Sequence, residues 1–257
     1  MPAVTQLFGL AGKRALITGA SGGLGSAIAT LFADAGASLL LTDRDESALS
    51  TLANSLGQHI NIDLVTSNLA DEESVNQLCS SIHHESVDIL VNCAGIEGQV
   101  GSLEHCTHAQ WQQLMQINLY ACQQLSAAVI PGMREKGFGR LIYVASIAGL
   151  RGNSAIGLYG VAKAALMELA RNYAVQCGPN GITANAIAPG LIDTPLSKHL
   201  QANDAFMQRR LQMTPLRRIG HPDEIAATAL YLASQAGAFT TGQTLVVDGG
   251  TLITDGN

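Results

Sequence analysis

The sequence predicts an α/β fold of the Rossmann type, in which a doubly wound, seven-stranded parallel sheet carries helices on both faces. Three observations lead to this prediction. Short β-branched or leucine-rich runs alternate with longer helical patterns, a glycine-rich turn follows the first run, and 47% of the 257 residues are hydrophobic while 13% are charged. No linker, repeat or change of composition interrupts the pattern, so we expect residues 1–257 to form a single domain.

The predicted strands are short apolar runs, as expected when helices cover both faces of a sheet. They occupy residues 14–18, 38–42, 60–64, 88–92, 141–146, 182–186 and 244–247. Their regular alternation with helical patterns indicates that the strands are parallel.

The predicted helices have apolar residues at helical spacing. They occupy residues 23–35, 46–56, 72–84, 109–136, 157–177 and 222–234. Residues 190–220 are the least regular stretch, because Pro195 and Pro215 bracket a weak helical pattern there. Such an insertion is typical of a lid over a site. The two longest helices and the C-terminal run 244–253 carry more apolar surface than one sheet face needs, which indicates subunit contacts.

Charge and cysteine content exclude several classes of protein. A formal net charge of −6 argues against nucleic acid or an anionic membrane as a partner, since either requires a basic face. No run approaches the roughly 18 apolar residues of a membrane span, and the first residues do not resemble a leader, so we expect a cytoplasmic protein. The five cysteines are scattered without a Cys-x-x-Cys pair, which indicates reduced thiols: Cys79, Cys93, Cys106, Cys122 and Cys177.

The glycine-rich turn has the features of a dinucleotide-binding loop. Gly19 permits a tight turn, Gly23 lets the backbone approach a pyrophosphate, and Gly25 allows the helix to pack closely on the sheet. A phosphate would lie at the helix N-terminus. The pattern alone also fits an ordinary strand-to-helix turn. Asp43, 20 residues after Gly23, gives it the expected context.

A carboxylate at Asp43 would accept the ribose hydroxyls of NAD and repel the 2′-phosphate of NADP. Gly22, which precedes Gly23, carries no base that could bind such a phosphate. Arg44 directly follows Asp43 and could pair with one. We therefore expect NAD as the preferred cofactor, with NADP possible.

Tyr159 and Lys163 form the clearest chemical pair. On a helix, an i, i+4 spacing stacks two side chains about 5–6 Å apart at Cβ. The lysine charge would favour the phenolate, as a tyrosine acid/base requires. Tyr159 alone fits an ordinary amphipathic helix, but Lys163 interrupts an apolar run, where a buried cation needs a partner or a function. Ser146 ends a predicted strand at the same edge of the sheet.

Taken together, the motifs resemble those of the short-chain dehydrogenase/reductase family, in the branch of about 250 residues that includes oxoacyl reductases. The resemblance covers nearly the whole chain. It is carried by Thr18-Gly-Ala-Ser-Gly-Gly-Leu-Gly25, Asn92-Cys-Ala-Gly95, Asn118, Ser146, Tyr159-x-x-x-Lys163, and Pro189-Gly190 leading to Thr194. Many relatives have Asn where this chain has Cys93, which predicts a change of packing with little chemical effect.

The resemblance implies a nicotinamide-dependent oxidoreductase that acts on a secondary alcohol or ketone, in one NAD(P)-binding catalytic domain, commonly a homotetramer. It implies that Tyr159 is the general acid/base, that Ser146 binds the substrate oxygen, that Lys163 holds the nicotinamide ribose, and that Asn118 continues a proton relay through water. The cofactor contacts implied are Gly19, Ser21, Gly22, Gly23, Leu24, Gly25, Asp43, Arg44, Asn68, Leu69, Asn92, Ala94, Gly95, Tyr159, Lys163, Pro189, Gly190, Ile192 and Thr194.

The substrate is left open by the sequence. Ser146, Ile156, Tyr159 and Leu191 are the expected substrate contacts, in a wall made by residues 97–101, 149–156 and 191–213. Glu97, Arg151, Ile156 and Met207 in that wall are compatible with a sugar or polyol, a hydroxyacyl group, a steroid or a simple secondary alcohol.

Three alternative functions remain at this point. An epimerase or dehydratase of the same fold, a non-catalytic NAD-binding sensor or scaffold, and an adenosylmethionine-dependent methyltransferase each explain part of the pattern, the last least well. No metal is expected. His105 with His108, and His83 with His84 and Glu85, offer too few ligands and are interpreted as solvated surface.

Overall fold

A computed structural model describes residues 3–57, 60–83 and 87–254. Within them, seven strands form one sheet in the order β3-β2-β1-β4-β5-β6-β7. Every neighbouring pair is parallel. The strands are β1 (Arg14–Thr18), β2 (Ser38–Asp43), β3 (Ile62–Thr66), β4 (Ile89–Asn92), β5 (Gly139–Val144), β6 (Ile182–Pro189) and β7 (Thr244–Val247). This order confirms the predicted doubly wound sheet.

Helices connect the strands and cover the sheet. They are α1 (Val4–Phe8), α2 (Gly23–Asp34), α3 (Glu46–Ser55), α4 (Glu72–His83), α5 (His108–Met115), α6 (Ala121–Lys136), α7 (Gly157–Cys177), α8 (Lys198–Gln201), α9 (Asp204–Gln212) and α10 (Pro222–Ala233). Alternate strand residues enter two buried cores: Leu16 and Leu90 pack with α4, α6 and α7, whereas Ile17 and Ile89 pack with α2, α3 and α10. Burial on both faces explains the continuous apolar runs of the strands.

Two strand predictions are displaced by two residues. β3 begins at Ile62 instead of residue 60, because its register pairs Leu39 with Ile62 and Asp43 with Thr66. β5 ends at Val144 instead of residue 146. Ser146 has left the sheet, and its Oγ accepts a hydrogen bond from the Ala148 N–H (3.1 Å) at the start of a 3₁₀ turn, Ile147–Gly149.

The other differences lie mainly at helix ends and in one long helix. The segment predicted as one helix over 109–136 contains a π-helical turn, Gln116–Tyr120, between α5 and α6. α1 was not predicted, and residues 190–220 contain the short helices α8 and α9. β6 continues past the predicted residue 186 to Pro189, where it pairs with Val247. The remaining helix ends agree to within one residue; the predicted last residue of α4, His84, lies outside the described residues.

The topology fixes where a site can form. Parallel strands end at the same edge of the sheet, and the strand order reverses between β1 and β4, the place where doubly wound folds bind ligands. Thr18, Asp43, Asn92, Val144 and Pro189 all end strands at this edge. The residues that follow them are therefore brought together although they are far apart in sequence.

We expect a moderate loss of stability for Tyr143→Phe. The Tyr143 hydroxyl lies 2.7 Å from Ser126 Oγ in the core, and burial raises the pKa of Tyr143 well above its usual value, so the group stays neutral. Ser126 keeps its bond to the Cys122 carbonyl oxygen. Loss of one buried hydrogen bond should lower the free energy of unfolding by about 1 kcal/mol, measured by urea denaturation.

Tyr173→Phe provides the matched control for this measurement. Tyr173 is half-buried, and its hydroxyl donates only a long bond of 3.5 Å to the Gln123 carbonyl oxygen. It should lose less stability than Tyr143→Phe. Equal losses in the two variants would contradict the value assigned to the Ser126–Tyr143 bond.

Candidate functional site

Two adjoining cavities open at the carboxyl edge of the sheet. The first, of about 290 Å³, is named here the glycine-loop cavity; its walls contain the residues after β1, β2, β3 and β4. The second, of about 180 Å³, is named the tyrosine cavity; its walls contain Ser146, Tyr159 and Lys163 together with residues of the 190–220 segment. Leu24, Cys93, Gly95, Thr194 and Leu196 belong to both, so a ligand longer than either can occupy the two together.

The glycine-rich turn presents backbone to the first cavity. Gly19 has φ +62°, a left-handed conformation that favours glycine. α2 begins at Gly23 after Gly22, an N-cap residue without a side-chain hydrogen bond. The first N–H groups of a helix have no partner within the helix, and no side chain caps them here, so they are suited to bind an anion.

Asp43 is held rigidly at the rim of the glycine-loop cavity. Its Oδ2 accepts hydrogen bonds from the Ser21 N–H (3.1 Å) and the Ser21 hydroxyl (2.6 Å). Its Oδ1 accepts one from the Arg44 N–H (2.7 Å). Ser21 is absent from the cavity wall and acts by orienting Asp43. Arg44 and Asn68 complete this end of the wall.

Lys163 lies in the wall of the tyrosine cavity. Its side chain is only 3% exposed, and its Nζ donates a hydrogen bond to the Val144 carbonyl oxygen (2.7 Å) at the end of β5. Nζ lies 5.5 Å from the centre of the Tyr159 ring. The positive charge is thereby fixed beside the tyrosine, as the i, i+4 spacing predicts.

A close approach of backbone brings Ser146 to the same place. A Cβ atom on Gly160 of α7 would lie 2.7 Å from the Ala148 carbonyl oxygen, so only glycine allows the 3₁₀ turn to pack here. Ser146, Tyr159 and Lys163 consequently share the wall of the tyrosine cavity. Together, these three side chains can bind an oxygen atom of a ligand and exchange a proton with it.

Asn118 lies in the π-helical turn and is 0% exposed. Its Oδ1 accepts a hydrogen bond from the Ile96 N–H (2.9 Å), and its Nδ2 donates one to the Ile96 carbonyl oxygen (2.8 Å). A Cβ atom on Gly95 would lie 3.3 Å from Lys163 Nζ and 3.4 Å from Asn118 Oδ1, so the three groups meet. The Asn118 side chain fixes the loop after β4 and lies behind the cavity wall.

The structure separates the predicted cofactor residues into two groups. Those in the cavity walls are Gly19, Gly22, Gly23, Leu24, Gly25, Asp43, Arg44, Asn68, Leu69, Ala94, Gly95, Tyr159, Lys163, Pro189, Gly190, Ile192 and Thr194. Ser21 and Asn92 are outside them. Asn92 is 1% exposed, and among the described residues its amide has no hydrogen-bond partner. The predicted substrate contacts Ile156 and Leu191 lie in the tyrosine cavity.

Sequence reasoning missed several wall residues. Cys93, which directly follows β4, lies in both cavities, whereas Asn92, the last residue of β4, lies in neither. Burial raises the pKa of the Cys93 thiol to about 12, which keeps it neutral. Asn153, Leu200 and Arg210 line the tyrosine cavity inside the predicted wall segments 149–156 and 191–213, where no motif singled them out. The position of Cys93 directly after a strand, at the carboxyl edge of the sheet, could have indicated it.

The remaining polar clusters show no further centre. Among the described residues, no three His, Cys, Asp or Glu side chains are gathered as metal ligands would be. Glu104 lies 3.7 Å from the exposed His105, and His84 and Glu85 lie outside the described residues. Among the described residues, every helix is too short or too polar to span a bilayer.

The donors and acceptors fit a nicotinamide dinucleotide. Open helix N–H groups suit the pyrophosphate, the oriented Asp43 carboxylate suits ribose hydroxyls, and the Lys163 ammonium suits a second ribose beside Tyr159. The two adjoining cavities supply room for a ligand with two nucleotide halves.

Comparison with known proteins places this arrangement in a family. Residues 19–251 match the family profile described as enoyl-(acyl carrier protein) reductase. The chain is 39% identical to 3-oxoacyl-(acyl-carrier-protein) reductase FabG of Vibrio cholerae over 94% of this chain and 98% of the relative. It is 38% identical to 2-keto-3-deoxy-L-fuconate dehydrogenase of Xanthomonas campestris, over 94% and 80%.

Solved structures agree with the sequence comparison. A gluconate 5-dehydrogenase from Burkholderia cenocepacia, in complex with NADP and tartrate, superposes with a TM-score of 0.92 at 32% identity, over 98% of this chain and 100% of that one. The chain therefore belongs to the short-chain dehydrogenase/reductase family, NAD(P)-dependent oxidoreductases that transfer a hydride between a nicotinamide cofactor and an alcohol or ketone.

Proposed function

We propose that Tyr159 is the general acid/base of this oxidoreductase and that Ser146, Lys163 and Asn118 assist it. The observation that carries the proposal is the buried Lys163 ammonium, fixed by the Val144 carbonyl oxygen and 5.5 Å from the Tyr159 ring. A sensor or scaffold has no use for a buried cation beside a phenol in a cavity, and no contact of the site favours an epimerase or a methyltransferase.

The proton chemistry follows from the positions of these groups. The Tyr159 oxygen, beside the fixed Lys163 charge, takes the proton of the substrate hydroxyl in oxidation and returns it to the carbonyl oxygen in reduction. The Ser146 Oγ already accepts from the Ala148 N–H, which orients its own O–H toward the substrate oxygen. The bound nicotinamide supplies or accepts the hydride.

Asn118 acts as a positioning residue in this proposal. Both polar groups of its side chain are used by Ile96, so it holds the loop that passes Lys163. The proton relay through water that Asn118 was predicted to continue stays a prediction.

The cofactor preference we propose is NAD, with NADP as the alternative. Asp43 has both carboxylate oxygens bound to backbone or Ser21, so it is fixed where a 2′-phosphate would meet a negative charge. The Burkholderia cenocepacia neighbour was solved with NADP, and Arg44 in the same wall offers the one guanidinium next to Asp43 that could pair with a phosphate.

The wider organisation we propose is one catalytic domain over residues 1–257 with residues 190–220 as its lid. The lid supplies Leu191, Leu196 and Leu200 to the tyrosine cavity, which supports a covering role. The substrate we propose is a small molecule, because the tyrosine cavity is only about 180 Å³.

A homotetramer in the cytoplasm completes the proposal. Exposed apolar side chains on several elements support subunit contacts: Trp111, Tyr120, Val161, Val175, Phe239 and Val246. The five cysteines are all free thiols, which suits a reducing compartment.

Replacement of Tyr159 by Phe tests the mechanism. The variant removes the proton-transferring oxygen and little volume, so kcat should fall by about 10²–10⁴ while NADH still binds. Turnover is measured by nicotinamide absorbance over a panel of secondary alcohols and ketones, and NADH binding by fluorescence. Tyr231→Phe is the control, because its hydroxyl contacts Thr240 away from both cavities. A Tyr159→Phe enzyme with wild-type kcat would refute the assignment.

Replacement of Asp43 by Asn tests the cofactor preference. The amide keeps the shape but removes the charge, so the ratio of kcat/KM for NADPH to that for NADH should rise about tenfold or more, equivalent to at least 1.4 kcal/mol. Asp45→Asn is the control, since Asn caps helix α3 about as well as Asp. A wild-type enzyme that already prefers NADPH, or an unchanged ratio in Asp43→Asn, would overturn the preference for NAD.

A further inference from the structure

Two arginines face the tyrosine cavity from different elements. Arg151 follows the 3₁₀ turn that begins after Ser146. Arg210 lies in the last turn of α9, within the lid. Both belong to the same wall as Ser146 and Tyr159.

Neither guanidinium has a carboxylate partner among the described residues. The Arg210 guanidinium lies 5.5 Å from the centre of the Phe206 ring, and both arginines are partly buried. The exposed Arg218, by contrast, forms a bidentate pair with Glu224 (2.8 and 2.6 Å). A partly buried guanidinium without an anion gives up hydration and gains no pairing energy.

The two charges also act on each other. Burial, together with the positive charge of Arg151, lowers the pKa of Arg210, and Asp248 opposes this effect. Asp248 is itself bound by the N–H groups of Gly250 (2.8 Å) and Leu252 (2.6 Å). Both arginines line the same cavity, so two like charges face the same small space.

Among the described residues, the wall of the tyrosine cavity contains one carboxylate, which cannot balance the charges of Arg151 and Arg210. Glu97 is the carboxylate in the wall of the tyrosine cavity, and its Oε2 lies 3.4 Å from His199 Nε2 of α8. Lys163 adds a third cation, whose ammonium is held by Val144. The substrate side of the cavity has an excess of positive charge, which a bound anion would balance.

We infer that Arg151 and Arg210 bind the carboxylate of a small hydroxy or oxo acid, whose reacting carbon lies between Ser146 and Tyr159. The inference deepens the proposed function and rests on it. A guanidinium presents two N–H groups to two carboxylate oxygens, so two arginines can bind one carboxylate from both sides. A carboxylate is the smallest common anionic group, which suits a cavity of about 180 Å³.

A carboxylate bound to both arginines also favours a closed lid. Arg210 belongs to the proposed lid, whereas Arg151 follows the Ser146 turn at the strand edge. A carboxylate bound between the two guanidinium groups replaces their mutual repulsion with an attraction to each of them. Binding of the substrate therefore favours the closed lid. A neutral alcohol of the same shape lacks this effect.

The test compares acids with their neutral amides. Turnover is measured for D-gluconate, 3-hydroxybutyrate and L-lactate and for the amide of each, and the neutral N-acetylcysteamine thioester of acetoacetate is assayed in the reductive direction. In the wild type, kcat/KM should be at least about tenfold higher for the best acid than for its amide. Arg151→Gln and Arg210→Gln should each remove most of that preference.

Arg209→Gln is the matched control. Arg209 precedes Arg210 on α9 but is exposed and absent from the cavity wall, so its replacement should leave the acid preference intact. Arg210→Lys keeps the charge and should retain part of the preference, which separates loss of charge from a disturbed helix.

Binding provides a second readout that needs no turnover. With NADH present, the acids should raise Tm of the wild type and of Arg209→Gln more than the amides do, and this difference should disappear in Arg151→Gln and Arg210→Gln. Acids that neither bind nor react better than amides would overturn the inference. So would a best kcat/KM for the thioester that is unchanged in the two variants. Either result leaves the Tyr159 mechanism standing, since that depends on Tyr159→Phe alone.

Discussion

The hydrogen bond from Lys163 Nζ to the Val144 carbonyl oxygen is the interaction on which the site depends. A buried ammonium costs several kcal/mol unless it is bound, and this one is bound to the last residue of β5. The bond fixes the position of α7 against the sheet edge, and therefore Tyr159 one turn earlier on the same face. Gly95 passes beside the ammonium because it has no side chain.

Much of this fold could be predicted because its causes are local. Apolar runs, helical spacing and the glycine turn predict the seven strands, the six long helices and the edge where the site forms. The π-helical turn at Gln116–Tyr120 and the pairing of Asn118 with Ile96 could not, because they depend on contacts between distant segments. The predicted bounds of β3, 60–64, were wrong for a similar reason: its pairing with β2 makes Thr66, rather than Leu64, its last residue.

The residues proposed for catalysis are easier to predict from the sequence than those proposed to select the substrate. Ser146, Tyr159 and Lys163 follow strands and helices with fixed spacing, so their roles can be inferred from motifs. Arg210 lies in a short helix of an irregular segment, and only the folded chain places it in the same cavity wall as Arg151. Substrate selectivity depends on loops, which can vary widely on the same rigid scaffold. Membership of the family therefore leaves the substrate open.

The strand order affects how the protein folds into an active enzyme. β1 pairs with β4, more than 70 residues later, and β6 pairs with β7 across the whole lid. Contacts of such high sequence separation form slowly, because a long loop must be closed before the contact is gained. During synthesis, the nascent chain holds the glycine turn long before β5, α7 and the lid emerge. Its exposed strand edges must meanwhile be protected from neighbouring chains, so assembly of this site is governed by the rate at which the sheet is completed.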